Sequence, residues 1–134
     1  MDYLHHSMNI QQVNQIGMLG LAHVGDAVFE ILVRGKLCEE GHSDATEMHR
    51  RAIACVNAKA QASAASCIVP FLTEEELRTF KRGKNTKVNS IPTHTTIAEY
   101  HLATALEALF GWLYLLGREE RIHELFHMIV EGEK

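Results

Sequence analysis

Apolar positions recur at helical spacing along most of the chain, and no β-branched run alternates with polar residues. Residues 19–37 predict a first long helix, with Leu21, Val24, Val28 and Ile31 on a shared stripe. Glu39-Glu40-Gly41-His42 supplies its stop. Ser43 with Asp44 offers an N-cap for a second element, Ala45 to about Val69, which ends near Pro70. Thr73 followed by Glu74–Glu76 is a Thr-x-x-Glu capping signature that opens a short helix through roughly Lys81. From Gly83 to Thr95 the apolar period lapses among Asn85, Asn89, Ser90 and Pro92, which predicts a loop. Another long helix runs from about Thr96 to Leu116, and Gly117 separates it from a last amphipathic one, Glu119–Val130. No repeat, low-complexity tract or linker interrupts this order, so the expectation is an all-α fold with residues 1–134 in one domain.

Composition agrees with one core. Of 134 residues 46% are hydrophobic, enough to bury a single domain, and 22% are charged, which argues against general disorder. The N-terminal residues lack a basic stretch followed by an apolar one, and no run of about 18 apolar residues occurs. Neither a leader nor a membrane partner is expected. Cys38, Cys55 and Cys67 are odd in number and form no C-x-x-C pair, which suits a reducing cytoplasm better than a disulfide scaffold or a zinc finger.

Net charge is −4, at first sight a poor match to nucleic acid, but the charge is polarised. Met48–Ala98 has a balance of +5 and the remainder −9, and Arg78–Lys87 holds five bases and no acid. That cluster is either a solvated basic loop or an electrostatic footprint for a polyanion.

Two acids stand in apolar surroundings. Glu107 is the only charge between Leu102 and Leu116, a stretch apolar nearly all round and therefore expected at the centre of the fold. Asp26 and Glu30 are the only charges from Leu19 to Val33. No Lys or Arg lies within four residues of Asp26 or Glu107. An uncompensated buried carboxylate is costly, so each is expected to be paired, protonated or bound to a metal. Oxygen-only ligands on rigid helices suit Mg²⁺, with Mn²⁺ as a substitute; a buried hydroxyl or imidazole partner is the alternative. Gly25 and Gly111 each cost their helix about 1 kcal/mol relative to Ala. Close helix packing and ligand access both explain them, and both bring Asp26 toward Glu107.

These residues carry a resemblance. Leu21-Ala22-His23-Val24-Gly25-Asp26-Ala27-Val28-Phe29-Glu30 resembles the signature helix of the ribonuclease III family, and Leu106-Glu107-Ala108-Leu109-Phe110-Gly111 resembles its second acidic motif. The match keeps order and spacing over about 19–116, the expected catalytic core. Arg82-Gly83-Lys84-Asn85 is similar to the short branch without a double-stranded RNA-binding domain, the Mini-ribonuclease III group. The resemblance implies a metal-dependent endoribonuclease that hydrolyses double-stranded RNA to 5′-phosphate and 3′-hydroxyl ends. It also implies a homodimer and, as substrate, the precursor of large-subunit (23S) ribosomal RNA. Asp26 and Glu107 are the implied catalytic and metal-binding residues, with Asp26 orienting the attacking water.

Two family carboxylates are missing, their places taken by Ala22 and Thr104. A catalytically weak or inactive RNA-binding dimer is therefore the alternative, and a dimerisation module for an acidic protein is a third. Lys81, Arg82, Lys84, Asn85 and Lys87 are the candidate RNA contacts, with Asn85 and Asn89 serving either RNA or the turn. His23 either tunes the site or touches RNA, or is simply packed or exposed. Glu30 is an auxiliary acid or a salt-bridge partner. Thr104 either bonds a metal-held water or bonds back to its own helix. Only 27 residues follow Glu107, so the catalytic domain is expected to grip RNA by itself.

Overall fold

A computed structural model describes residues 1–87 and 90–133. Asn89 lies outside the described residues. The elements in order are α1 (Ile10–Asn14), α2 (Met18–Glu39), α3 (Ala45–Cys55), α4 (Ala58–Ile68), a 3-10 turn (Val69–Phe71), α5 (Glu74–Lys84), α6 (Ile97–Leu115) and α7 (Glu119–Gly132). Among the described residues there is no strand, as the sequence pattern predicts.

Short polar side chains start most of these helices. Asp44, Asn57, Thr73 and Thr96 each accept a hydrogen bond from the backbone N–H three residues on. At Thr73 and Thr96 the partner Glu76 or Glu99 returns the bond to the cap residue, so two otherwise orphaned donors are satisfied together.

Three elements depart from the sequence pattern. The segment expected to be one helix from Ala45 breaks at Val56 and Asn57. Asn57 donates to the carbonyls of Ile53 and Ala54 and accepts from Ala60 N–H, so one side chain closes α3 and opens α4. Helix α5 continues past Lys81 to Lys84, because Gly83 is a packing residue there rather than a stop. A Cβ at Gly83 would lie 3.0 Å from Ala105 Cα and 3.2 Å from Ala108 Cβ. Helix α1 has no apolar period to announce it; it is held by an Asn9–Gln12 capping box and by Trp112 Nε1, which donates to Asn14 at 3.0 Å.

Helix α6 is the centre of the molecule. From Ala103 to Leu113 every residue except Glu107 is buried. Helices α2, α4 and α5 enclose it. Each fully buried Leu or Phe of this set contributes about 1.5–3 kcal/mol. On α2 the buried face is Leu21, Ala22, Gly25, Val28, Phe29, Val33 and Leu37. Ile31, expected on that face, is 67% exposed, and Val24 is only half-buried. Helix α7 is tied down by Arg121, which donates from Nε and Nη2 to Glu76 at 2.8 and 2.9 Å and from Nη2 to Phe71 O at 2.7 Å. All three cysteines are free. Among the described residues no single helix is long and apolar enough to cross a membrane.

The contact between α2 and α6 is backbone against backbone. A Cβ on Gly25 would fall 1.6 Å from Glu107 O, and one on Gly111 would fall 2.0 Å from Leu21 O. No rotamer relieves such an overlap, so the helices must separate to admit a methyl group. Gly35 lies in the same helix α2 with nothing within 4 Å of its Cβ position. Gly25→Ala is expected to destabilise the protein by about 3 kcal/mol or more, and Gly35→Ala to stabilise it by up to about 1 kcal/mol. Denaturant melts of both variants check this, and equal midpoints would contradict the packing described.

Candidate active site

Asp26 and Glu107 meet because their neighbours cross. Gly25 sits against the carbonyl of Glu107, and the next residue of α2 turns out of that contact toward solvent. Asp26 is accordingly exposed, whereas Glu107 is half-buried. The expectation of two buried acids holds only for Glu107. Asp26 stands on the solvent rim of the crossing, so burial is not what constrains it.

The two carboxyl groups lie within hydrogen-bonding reach of each other. Burial, followed by the hydrogen bond and negative charge of Asp26, pushes the Glu107 carboxyl from its ordinary 4.5 up to about 8. The charge of Glu30 adds to the rise, and a hydrogen bond from Gln61 opposes it. Among the described residues neither acid has an ion-pair partner. Two adjacent carboxylates without a cation form a donor set that suits a hard divalent ion. Among the described residues no group of three or more His, Cys, Asp or Glu side chains is placed to hold a metal. Two carboxylates alone would leave most of a divalent ion's coordination shell to other ligands.

Gln61 is the site residue that sequence reasoning missed. It is 5% exposed on α4 and donates from Nε2 to Glu107 Oε2 at 3.4 Å. Its signal was present, since Gln61 shares the buried stripe with Ala65 and Ile68 at helical spacing. A long amide on such a stripe requires a buried polar partner.

The other candidates divide. His23 is exposed and lines a groove with His123, Val28 and Ile122, a lining that includes neither acid. Glu30 accepts a hydrogen bond from Arg34 at 2.8 Å while its charge still reaches Glu107. Thr104 is buried on α6. Thr79 and Thr86 bond back to carbonyls four residues earlier, and among the described residues Thr104 has no such bond. Lys81, Arg82 and Lys84 occupy the last turn of α5, where their charge complements the exposed helix carbonyls, rather than a loop. Asn85 caps that helix and Lys87 follows it, all exposed. Because Gly83 docks on Ala105 and Ala108, this basic helix end is anchored to the turns of α6 that flank Glu107.

The raised Glu107 carboxyl has a consequence for stability. Between pH about 4.5 and 8 the folded protein holds a proton that the unfolded chain has released. Metal-free stability from this group is therefore complete below the lower value, falls as pH rises through the window, and levels off above it. Glu107→Gln, which is neutral at every pH, is expected to gain melting temperature relative to the unsubstituted protein as pH rises from 5 to 9 in chelator. Parallel pH profiles for the two proteins would contradict the buried, like-charged placement.

A model of the ribonuclease III domain matches residues 19–118. Mini-ribonuclease 3 of Brevibacillus brevis is 44% identical over 123 residues, covering 90% of this chain and 92% of that protein. Mini-ribonuclease 3 of Clostridium tetani is 36% identical over 121 residues, covering 90% and 80%. A crystal structure of a Fusobacterium nucleatum protein superposes with a TM-score of 0.83 at 34% identity, covering 92% of this chain and 98% of that one. With the glycine crossing, the paired acids and the matched residues in agreement, the chain belongs to the ribonuclease III family of endoribonucleases, in its Mini-ribonuclease 3 branch.

Proposed function

We propose that the protein is a homodimeric, Mg²⁺-dependent endonuclease of double-stranded RNA that leaves 5′-phosphate and 3′-hydroxyl ends, with Mn²⁺ as a substitute ion. We further infer that it works in the cytoplasm on the precursor of 23S ribosomal RNA. The observation that carries the catalytic reading is the Asp26–Glu107 pair, two acids pressed together without a cation. A divalent ion held by this pair supplies positive charge at the phosphate and lowers the pKa of the attacking water.

The chain's own residues account for the rest. Glu107, set on the buried stretch of α6 and bonded by Gln61, would hold the ion. Asp26, on the solvent rim, has oxygens free to orient the attacking water and accept its proton. Lys81, Arg82, Lys84 and Lys87 have no carboxylate partner among the described residues, leaving their charge for RNA phosphates. Asn85 stands among them with an amide suited to sugar or base edges.

The dimer reading rests on the outer face of α2. A cavity of ≈ 500 Å³ runs beside it, lined by Val24, Ala27, Val28, Ile31 and Leu32 and by Ile122 of α7. Ile31, 67% exposed within that lining, supports the reading that a second copy covers this face.

Asp26→Asn is expected to lose at least about a hundredfold in the rate of duplex RNA cleavage with Mg²⁺ while keeping its fold. Unsubstituted protein that binds but cuts no duplex RNA with Mg²⁺ or Mn²⁺ would favour the inactive RNA-binding reading instead. Ile31→Glu is expected to convert a dimer to a monomer in sedimentation, and an unchanged mass would remove α2 as the interface.

A further inference from the structure

A second cavity lies along α6, nearly two helical turns before Glu107 in the chain. It measures ≈ 410 Å³ and is lined by Lys84 and Asn85 from the end of α5 and by Ala98, His101 and Leu102 from the start of α6. Among the described residues, Nδ1 of His101 is the buried side-chain polar atom left without a hydrogen-bond partner. Buried polar atoms are rarely left so, and an orphan at the wall of a cavity points to a missing molecule. Six residues of helix separate His101 from Glu107, a rise of about 9 Å. Six residues also turn the helix by about 240° net, so the cavity lies on a different face of α6 from Glu107, between the end of α5 and the start of α6.

Its lining selects among ligands. Lys84 offers only donors and a positive charge, which suits a phosphate oxygen. Asn85 and His101 each carry both a donor and an acceptor, which suits a hydroxyl that gives and takes a hydrogen bond. Ala98 and Leu102 provide an apolar floor of the kind a sugar ring rests on. On an RNA backbone, the group with this pairing beside a phosphate is the ribose 2′-hydroxyl.

We propose that this cavity takes one ribose and its phosphate from the bound duplex, with His101 and Asn85 on the 2′-hydroxyl and Lys84 on the phosphate. The proposal rests on the reading of the chain as a nuclease of double-stranded RNA. It makes His101 a positioning residue that distinguishes RNA from DNA, with a turn of the ring about χ2 bringing the orphan nitrogen to its partner.

The test uses the full chain, a duplex RNA with a mapped cut, and a set of duplexes each carrying one 2′-deoxy nucleotide. Dissociation constants are measured in chelator and cleavage in Mg²⁺. At one position, 2′-deoxy substitution is expected to weaken binding by the unsubstituted protein about fivefold. His101→Phe keeps a ring without nitrogens. It is expected to bind the all-ribose duplex about fivefold more weakly, to be indifferent to that 2′-deoxy position, and to hold kcat within about twofold while KM rises. His101→Phe is also expected to melt no lower, since it removes a buried unpaired nitrogen, and His101→Gln is expected to restore sensitivity to the 2′-hydroxyl. A merely structural histidine would lower stability and leave the 2′-deoxy response intact, and that result would overturn the proposal. Failure of the unsubstituted protein to bind or cut any duplex would overturn the nuclease reading itself. Normal cutting with an unaltered His101→Phe profile would overturn the subsite alone.

Discussion

The close crossing of α2 and α6 is the constraint on which the rest of the molecule depends. Gly25 and Gly111 face each other's helix so closely that either Cβ would overlap a carbonyl oxygen. Such a contact fixes the two axes in both distance and register, because sliding either helix brings a side chain into a space that admits none. The residue that follows Gly25 and the residue whose carbonyl it touches are Asp26 and Glu107. Their separation is therefore set by backbone packing rather than by any attraction between them.

That origin explains the electrostatics of the site. Free carboxylates repel, and burial of Glu107 adds to the cost, so the pair is held against its own preference and Glu107 retains its proton up to about pH 8. A divalent cation at the proposed site would relieve both penalties at once, and would be held best at a pH where the competing proton has left. Gln61 is the counterweight, the one neutral donor placed on Glu107 from α4.

The basic residues are positioned by the same economy of small side chains. Gly83 lets the end of α5 settle on Ala105 and Ala108, which brings Lys81, Arg82 and Lys84 to the turns beside Glu107. Placing these cations on a helix end rather than a free loop lowers the conformational entropy they would lose on binding a polyanion.

The helices, their caps and the central place of α6 were legible in the chain, because capping side chains and an apolar stretch broken by a single acid are local signals. Thr73-x-x-Glu76 and Leu102–Leu116 belong to this class, and so do the two glycines, whose cost in a helix marks a close approach. The partner of Gln61, the break at Asn57 and the exposure of Asp26 did not follow from it. Each depends on what a neighbouring element presents: Glu107 for the amide, free carbonyls for Asn57, and the angle at which α2 leaves the glycine contact for Asp26. The orphaned nitrogen of His101 is of the same kind, since nothing local says whether an imidazole on a helix will find a partner. The sequence by itself determined which residues carry charge and which helices form, through short-range periodicity and hydrogen bonding. Only the tertiary structure decided which charges meet, which are buried and which cavity adjoins them, because those distances are set by side-chain volumes on helices far apart in the chain.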